Sequence, residues 1–164
     1  SYDPNGAGMQ TTNARIALGS GGLWGKGLFA DGNFAALNYI PDDHTDFIFA
    51  IVGETFGLAG AMLMVGLFLA MLVRISMLAM RAQDAFGSYI IVGVMYMMLF
   101  HIFENIGMVI GLMPVTGIPL PFVSYGGSNM LTNIVSIGMV INVAMRSRAG
   151  QAHTAKVRRT PVKL

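Results

Sequence analysis

Two short polar motifs carry the residue types best suited to chemistry, and each stands at the mouth of an apolar run. His44-Thr45-Asp46-Phe47 precedes one run, and Pro121-Phe122-Val123-Ser124-Tyr125-Gly126-Gly127-Ser128 opens another. An ionised Asp46 could act as a general base on an attacking hydroxyl or as a ligand for a divalent cation, Mg or Mn, with His44 and Thr45 orienting the carboxylate. An Asp at a helix start is equally suited to capping free N–H groups and complementing the dipole, although Asp42, Asp43 and Thr45 could cap as well. The second motif brings the hydroxyls of Ser124, Tyr125 and Ser128 together with Gly126 and Gly127, which suits it to binding a polar substrate. Its plainer reading is an irregular helix start with a tyrosine in the interfacial aromatic belt.

A third candidate is the stretch Gly19-Ser20-Gly21-Gly22-Leu23-Trp24-Gly25-Lys26-Gly27. Successive exposed N–H groups can form an anion nest, and Lys26 adds a cation, so a pyrophosphate could bind there. No Ser or Thr follows the lysine, so the stretch is not a Walker A motif. The alternative is a turn-rich loop with a solvated lysine. Within the apolar runs, Glu54 lies about 12 Å deeper than Asp46 by helix rise and should face the bundle interior. His101 and Glu104 are spaced i, i+3 on one helix face, with Asn105 beside them. That pair could contribute to a metal site, but two ligands do not make one. A buried, hydrogen-bonded pair linking helices is the simpler expectation. Gly53-x-x-x-Gly57 and Gly107-x-x-x-Gly111 read as small-residue packing ridges.

The elements that hold these residues are transmembrane helices. Charged residues are 11% of the chain and apolar residues 54%, with a mean hydropathy of +0.63, against roughly 25% charged in soluble domains. Residues 47–73, 89–113 and 123–145 are each long enough for the ~20 apolar residues a span needs. None alternates like a strand, and the bilayer admits only helices or closed barrels. The sequence therefore predicts an all-α, polytopic membrane protein with three spans. It divides into an extracytoplasmic loop segment (1–46), a three-helix transmembrane region (47–146) and a basic tail (147–164). The absence of cysteine excludes disulfides, thiolate metal sites and a cysteine nucleophile. The chain opens on Ser1 in a polar segment without a signal peptide, as expected of a piece that begins inside a loop.

Charge sets the expected direction. Arg146, Arg148, Lys156, Arg158, Arg159 and Lys163 follow the last span, and Arg74 and Arg81 flank the link between the first two. The link from Pro114 to Phe122 has no Lys or Arg. By the positive-inside rule the C-terminus is cytoplasmic and both polar motifs face outside. The tail also suits attraction to anionic lipid.

The motifs resemble those of the SEDS family of bacterial membrane proteins (shape, elongation, division and sporulation), which includes RodA, FtsW and SpoVE. The resemblance covers nearly all of residues 2–146. It rests on Tyr2-Asp3-Pro4, on residues 14–22 with Gly25-Lys26-Gly27, on His44-Thr45-Asp46-Phe47-Ile48-Phe49-Ala50, on Asn105-Ile106-Gly107-Met108 and on residues 117–128. Gly117-Ile118-Pro119-Leu120-Pro121 looks more like the RodA branch than the FtsW branch, which often has Thr where Pro119 stands. The resemblance implies the C-terminal part of a bundle of about ten spans, each of the ~20 residues a bilayer demands. It implies a peptidoglycan glycosyltransferase of the bacterial inner membrane. Such an enzyme polymerises lipid II for cell elongation and shape, working with a class B penicillin-binding protein and other elongation-complex membrane proteins, and no nucleic acid is expected as a partner. The family's essential acid falls on Asp46. A second outer-loop acid falls on Asn38, the usual Glu-Glu reads Glu54-Thr55, and the usual double Ser reads Ser128-Asn129, so a second loop carboxylate is in doubt. Two rival functions are a flippase using Glu54, His101 and Glu104 as a proton path, and a non-catalytic scaffold.

Overall fold

Four helices account for the regular structure of the computed structural model, which describes residues 7–27 and 46–159, with side chains described within 12–27 and 46–147. They are α1 (Ala7–Ser20), α2 (Ile48–Met80), α3 (Ala85–Ile110) and α4 (Gly127–Arg159). No strand occurs among the described residues. Helices α2 and α3, and α4 over Gly127–Ser147, are long and apolar enough to cross a membrane, as the three apolar runs predict.

The ends of these helices follow local chemistry more than hydropathy. Helix α2 runs past Val73 to Met80 because Arg74 is exposed and the residues after it stay apolar. Helix α3 begins at Ala85, ahead of Tyr89, because Asp84 caps it: the Gly87 N–H donates to Asp84 Oδ2 at 3.0 Å. It stops where Gly111 adopts a left-handed conformation (φ 75°), a common way to close a helix. Helix α4 starts at Gly127 instead of Val123, because residues 120–124 form a closed turn. It also continues through the basic segment to Arg159, so most of the expected tail is helical.

The short turn between α2 and α3 makes them antiparallel and returns α3 to the end where α2 began. Phe68, Leu72, Ile75 and Ala79 of α2 meet Ile91, Val94, Met98 and Ile102 of α3, with Val140 of α4 and Leu120 of the following link. The three-and-four spacing on both helices is that of one apolar stripe each. In lipid, such stripes are held by dispersion and close packing, because lipid tails are as apolar as the partner helix. Gln83 N–H donates to Ser147 Oγ at 3.2 Å and ties the α2–α3 turn to α4.

Helix α1 has no counterpart among the predicted spans. Its buried Ala14 packs with Phe47, Phe49 and Ala50 of the α2 start and with Met108 and Val109 of α3. Small side chains let α1 lie close. Arg15 reaches further and donates from Nη2 to Gly111 O at 2.8 Å; a Cβ at Gly111 would overlap its guanidinium.

Helix α2 is broken at Gly57 (φ 68°, ψ −166°), a conformation essentially restricted to glycine. An unbroken helix would bond Leu58 N–H to Glu54 O and Ala59 N–H to Thr55 O. Instead the glycine-rich segment inserts between them. Lys26 N–H donates to Glu54 O (3.0 Å) and Gly27 N–H to Thr55 O (3.1 Å), while Leu58 and Ala59 donate to Gly22 O (2.9 Å) and Leu23 O (3.3 Å). These four groups freed by the break are thereby satisfied by protein, the condition for irregular backbone at membrane depth. Contact is backbone to backbone: a Cβ at Gly25 would overlap Thr55 O, and one at Gly57 would overlap Gly25 N.

Candidate functional site

Asp46 stands two residues before the start of α2, just outside its N-cap. The helix N-cap is Phe47, whose side chain makes no capping bond, so Asp46 does not occupy the capping position that its sequence context allows. Phe47 is buried among Ala14, Met108 and Val109, which fixes the backbone next to the acid. Two further contacts fix Asp46 itself. The fully buried Asn105 of α3 donates one Nδ2 hydrogen to Asp46 O (2.8 Å) and the other to Ile118 O (2.9 Å). The Asp46 Oδ2 atom lies 3.3 Å from where a Gly117 Cβ would project. The carboxylate thus rests beside the proline-rich link. The first motif and the proline-rich link that leads into the second, separate in the chain, are joined by one buried amide.

The same end of the bundle carries the other polar ties. Thr116 Oγ1 donates to Glu104 Oε1 at 3.1 Å, so buried Glu104 secures α3 to the link. This corrects the expected His101–Glu104 pair: His101 Nδ1 is buried with no hydrogen-bond partner among the described residues. Glu54 is fully buried, as expected, and lies 3.8 Å from Lys26 Nζ, whose side chain is 36% exposed. The anion nest read from residues 19–27 is corrected as well. The Lys26 and Gly27 N–H groups bond to α2 carbonyls and Gly25 N–H to Gly21 O, while the Lys26 ammonium faces Glu54. The glycines serve backbone contact.

Ser124 also departs from its expected place lining a cavity. It is buried, its Oγ accepts from Leu120 N–H at 2.8 Å, and its own N–H donates to Leu120 O at 3.1 Å. Phe122 adopts φ 63° inside that turn. The turn's closure sends Tyr125 outward, where it is 88% exposed, and leaves Gly127 and Ser128 exposed in the first turn of α4. Gly126 O accepts from Met130 N–H. His44 and Thr45 lie outside the described residues, as do Asn38, Asp42 and Asp43. Among the described residues no three His, Cys, Asp or Glu side chains converge as metal ligands.

Next to this junction an apolar groove of about 470 Å³ runs between the glycine-rich segment, α2 and α3. Leu18, Leu23, Phe49, Met62, Ile106 and Ile110 line it. Phe49 is three positions from Asp46, so the groove begins close to the acid along the chain. Asn105 was visible in the sequence only as a polar residue within an apolar run, which marks a group that must find partners. The identity of those partners depends on the fold.

These features define an integral membrane protein with an acid-bearing polar junction at one end of its helices. The chain belongs to the FtsW/RodA/SpoVE (SEDS) family: the family model described as cell cycle protein matches residues 1–149. Among curated relatives, the peptidoglycan glycosyltransferase MrdB of Escherichia coli (strain K12) is 43% identical over 86% of this chain and 38% of its own length. Stage V sporulation protein E of Bacillus subtilis (strain 168) is 42% identical over 89% of this chain and 39% of its own. The chain thus spans under two fifths of the length of these relatives. A solved structure described under "Structural coordination of polymerization and crosslinking by a peptidoglycan synthase complex" superposes with a TM-score of 0.70 at 26% identity, covering 85% of this chain and 37% of that one.

Proposed function

We propose that the protein containing this chain is a peptidoglycan glycosyltransferase that polymerises lipid II, and that Asp46 is its general base. The observation that carries this reading is the junction itself. The residue that bears the carboxylate is held just outside a transmembrane helix, its backbone carbonyl accepting from a fully buried amide, and its carboxylate lies against a glycine of a proline-rich link. In the reaction, Asp46 takes the proton of the acceptor sugar hydroxyl as its oxygen attacks the donor anomeric carbon. The bond from that carbon to undecaprenyl pyrophosphate breaks, and the lipid pyrophosphate leaves with the electron pair. General base assistance of this kind typically contributes about 10²–10⁴-fold. Were Asp46 to hold a divalent cation, Mg or Mn, its role would be that of ligand in place of base, and the cation would supply charge stabilisation of the pyrophosphate.

The groove beside Phe49 suits the apolar anchor of such a substrate, and Tyr125, Gly127 and Ser128 offer exposed polar contacts at the start of α4. Lys26, still over a third exposed, can add its charge while paired with Glu54. The acids a flippase would use are tied into structure, Glu54 with Lys26 and Glu104 with Thr116. Arg74, Arg81, Arg146 and the basic segment support, by the positive-inside rule, a cytoplasmic position for the opposite end and hence a site on the outer face of the bacterial inner membrane. There the enzyme works with a class B penicillin-binding protein and other elongation-complex membrane proteins. The test is glycan-strand formation from lipid II by the purified full-length parent. Wild type should polymerise and Asp46→Asn should not; polymerisation by the variant at the wild-type rate would sink the assignment.

A further inference from the structure

We propose that Asn105 is the positioning residue for Asp46, holding the acid and the proline-rich link in one register through its two amide hydrogens. This rests on the reading of Asp46 as the base. Asn105 Nδ2 has two acceptors, Asp46 O at 2.8 Å and Ile118 O at 2.9 Å, on segments more than seventy residues apart in the chain (46 and 118). Both acceptors are carbonyls, so the atom facing them must be a donor. The reverse amide orientation would set three oxygens against one another. The side chain is fully buried and its Oδ1 has no partner among the described residues. It therefore pays for burial with a single, two-pronged contact, and that contact sits on the backbone of the acid.

Three neighbours transmit the constraint. Phe47, next to Asp46, is locked into the α1–α3 core. Gly117, next to Ile118, lies against the Asp46 carboxylate. Thr116, one residue further, bonds Glu104, the residue before Asn105 on α3. Adjacent residues of α3, Glu104 and Asn105, thus grip Thr116 and Ile118 of the link, and Asn105 also grips the backbone of the acid. An acid on a free loop would sample many positions relative to a bound sugar; this arrangement removes that freedom before substrate arrives. Asn105 touches no reacting atom, so its effect falls on turnover and leaves substrate affinity alone.

The test uses the purified full-length parent with lipid II. Asn105→Ala should lower kcat by about 100-fold, the scale of a ~1 Å misplacement of a catalytic group. The apparent KM should stay within about threefold, since the substrate contacts are untouched, and the thermal transition in detergent should be retained. Asn105→Asp, nearly the same size but presenting an oxygen to the two carbonyls, should be at least as slow. Asn133→Ala serves as the comparison. Asn133 is equally buried and donates to Asn129 Oδ1 at 3.0 Å, away from Asp46; it should keep near-wild-type kcat.

Wild-type kcat in Asn105→Ala, a loss expressed only in KM, or an equal loss in Asn133→Ala would each overturn the proposal. So would failure of both Asn105 variants to fold, which would make the residue a requirement of the bundle and not of the acid. If Asp46→Asn is dead while Asn105→Ala is normal, the positioning role alone fails. If Asp46→Asn is active, the base assignment fails first.

Discussion

Two carboxylates enter α2 within eight residues of each other, Asp46 and Glu54, and the protein treats them in opposite ways. Glu54 is sealed: fully buried, faced by Lys26, on a stretch of backbone whose carbonyl is bonded to the inserted glycine-rich segment. Asp46 is held through its backbone and left partly accessible. The contrast teaches that charge near a membrane interface is no guide to role by itself. What separates the two acids here is where the fold puts them: Glu54 is fully buried at the Gly57 break, whereas Asp46, tied through its carbonyl, is half-buried with its carboxylate beside Gly117 of the link.

The sharpest way to break the first region is Gly25→Ala. Gly25 has φ 80°, and its Cβ would overlap Thr55 O, so neither the turn nor the paired backbone can be kept. A loss of about 4 kcal/mol or more is expected, at the exceptional end for single substitutions, seen as loss of monodisperse protein after detergent extraction. A normal yield and melting profile would show that the insertion into α2 is dispensable.

The Lys26–Glu54 pair offers an asymmetric test. Lys26→Met leaves the buried carboxylate without that cation and should cost about 2 kcal/mol, less than the roughly 3–5 kcal/mol of a fully buried pair because the lysine is partly screened by solvent. Glu54→Gln removes the buried charge and leaves a lysine already one-third exposed, so it should cost only about 1 kcal/mol. Thermal melting of the two variants reads the difference. Equal costs would mean that Glu54 is not the partner that depends on the pair.

The legibility of the molecule follows the same division. Three spans were readable because ~20-residue apolar runs have few alternatives in a bilayer. The depth of Glu54 and its inward orientation were readable from the cost of a charge in lipid. Helix α1 was not, since Ala14 looks like an ordinary loop residue until Phe47 and Met108 close over it. The anion nest that the glycine-rich segment allows is not what the segment builds. Its N–H groups do seek acceptors, and those acceptors are the Glu54 and Thr55 carbonyls of a helix whose break at Gly57 looked like a packing ridge. Ser124 was misplaced for a similar reason: its hydroxyl closes on Leu120 N–H four residues back, a turn that the apolar run concealed.

A smaller effect sharpens the second region. Ser124→Ala removes the acceptor for the buried Leu120 N–H and should destabilise by about 1–2 kcal/mol, with polymerisation by the full-length parent reduced only in proportion to the folded fraction. A specific loss of turnover in fully folded Ser124→Ala protein would return that hydroxyl to the reaction.

The decisive comparison pairs activity with stability at Asp46 in the full-length parent. Asn keeps the size of Asp, so a structural role tolerates Asp46→Asn at a cost of about 1 kcal/mol or less, whereas a neutral amide cannot accept the sugar hydroxyl's proton. Lipid II polymerisation and thermal melting are measured on wild type, Asp46→Asn and Glu104→Gln. Expected are a near-native melt with no polymerisation for Asp46→Asn, and retained polymerisation for Glu104→Gln, which keeps an acceptor for Thr116. Near-normal polymerisation by Asp46→Asn, with strong loss at Glu104→Gln, would contradict a base at the outer junction and move the chemistry to the buried acids.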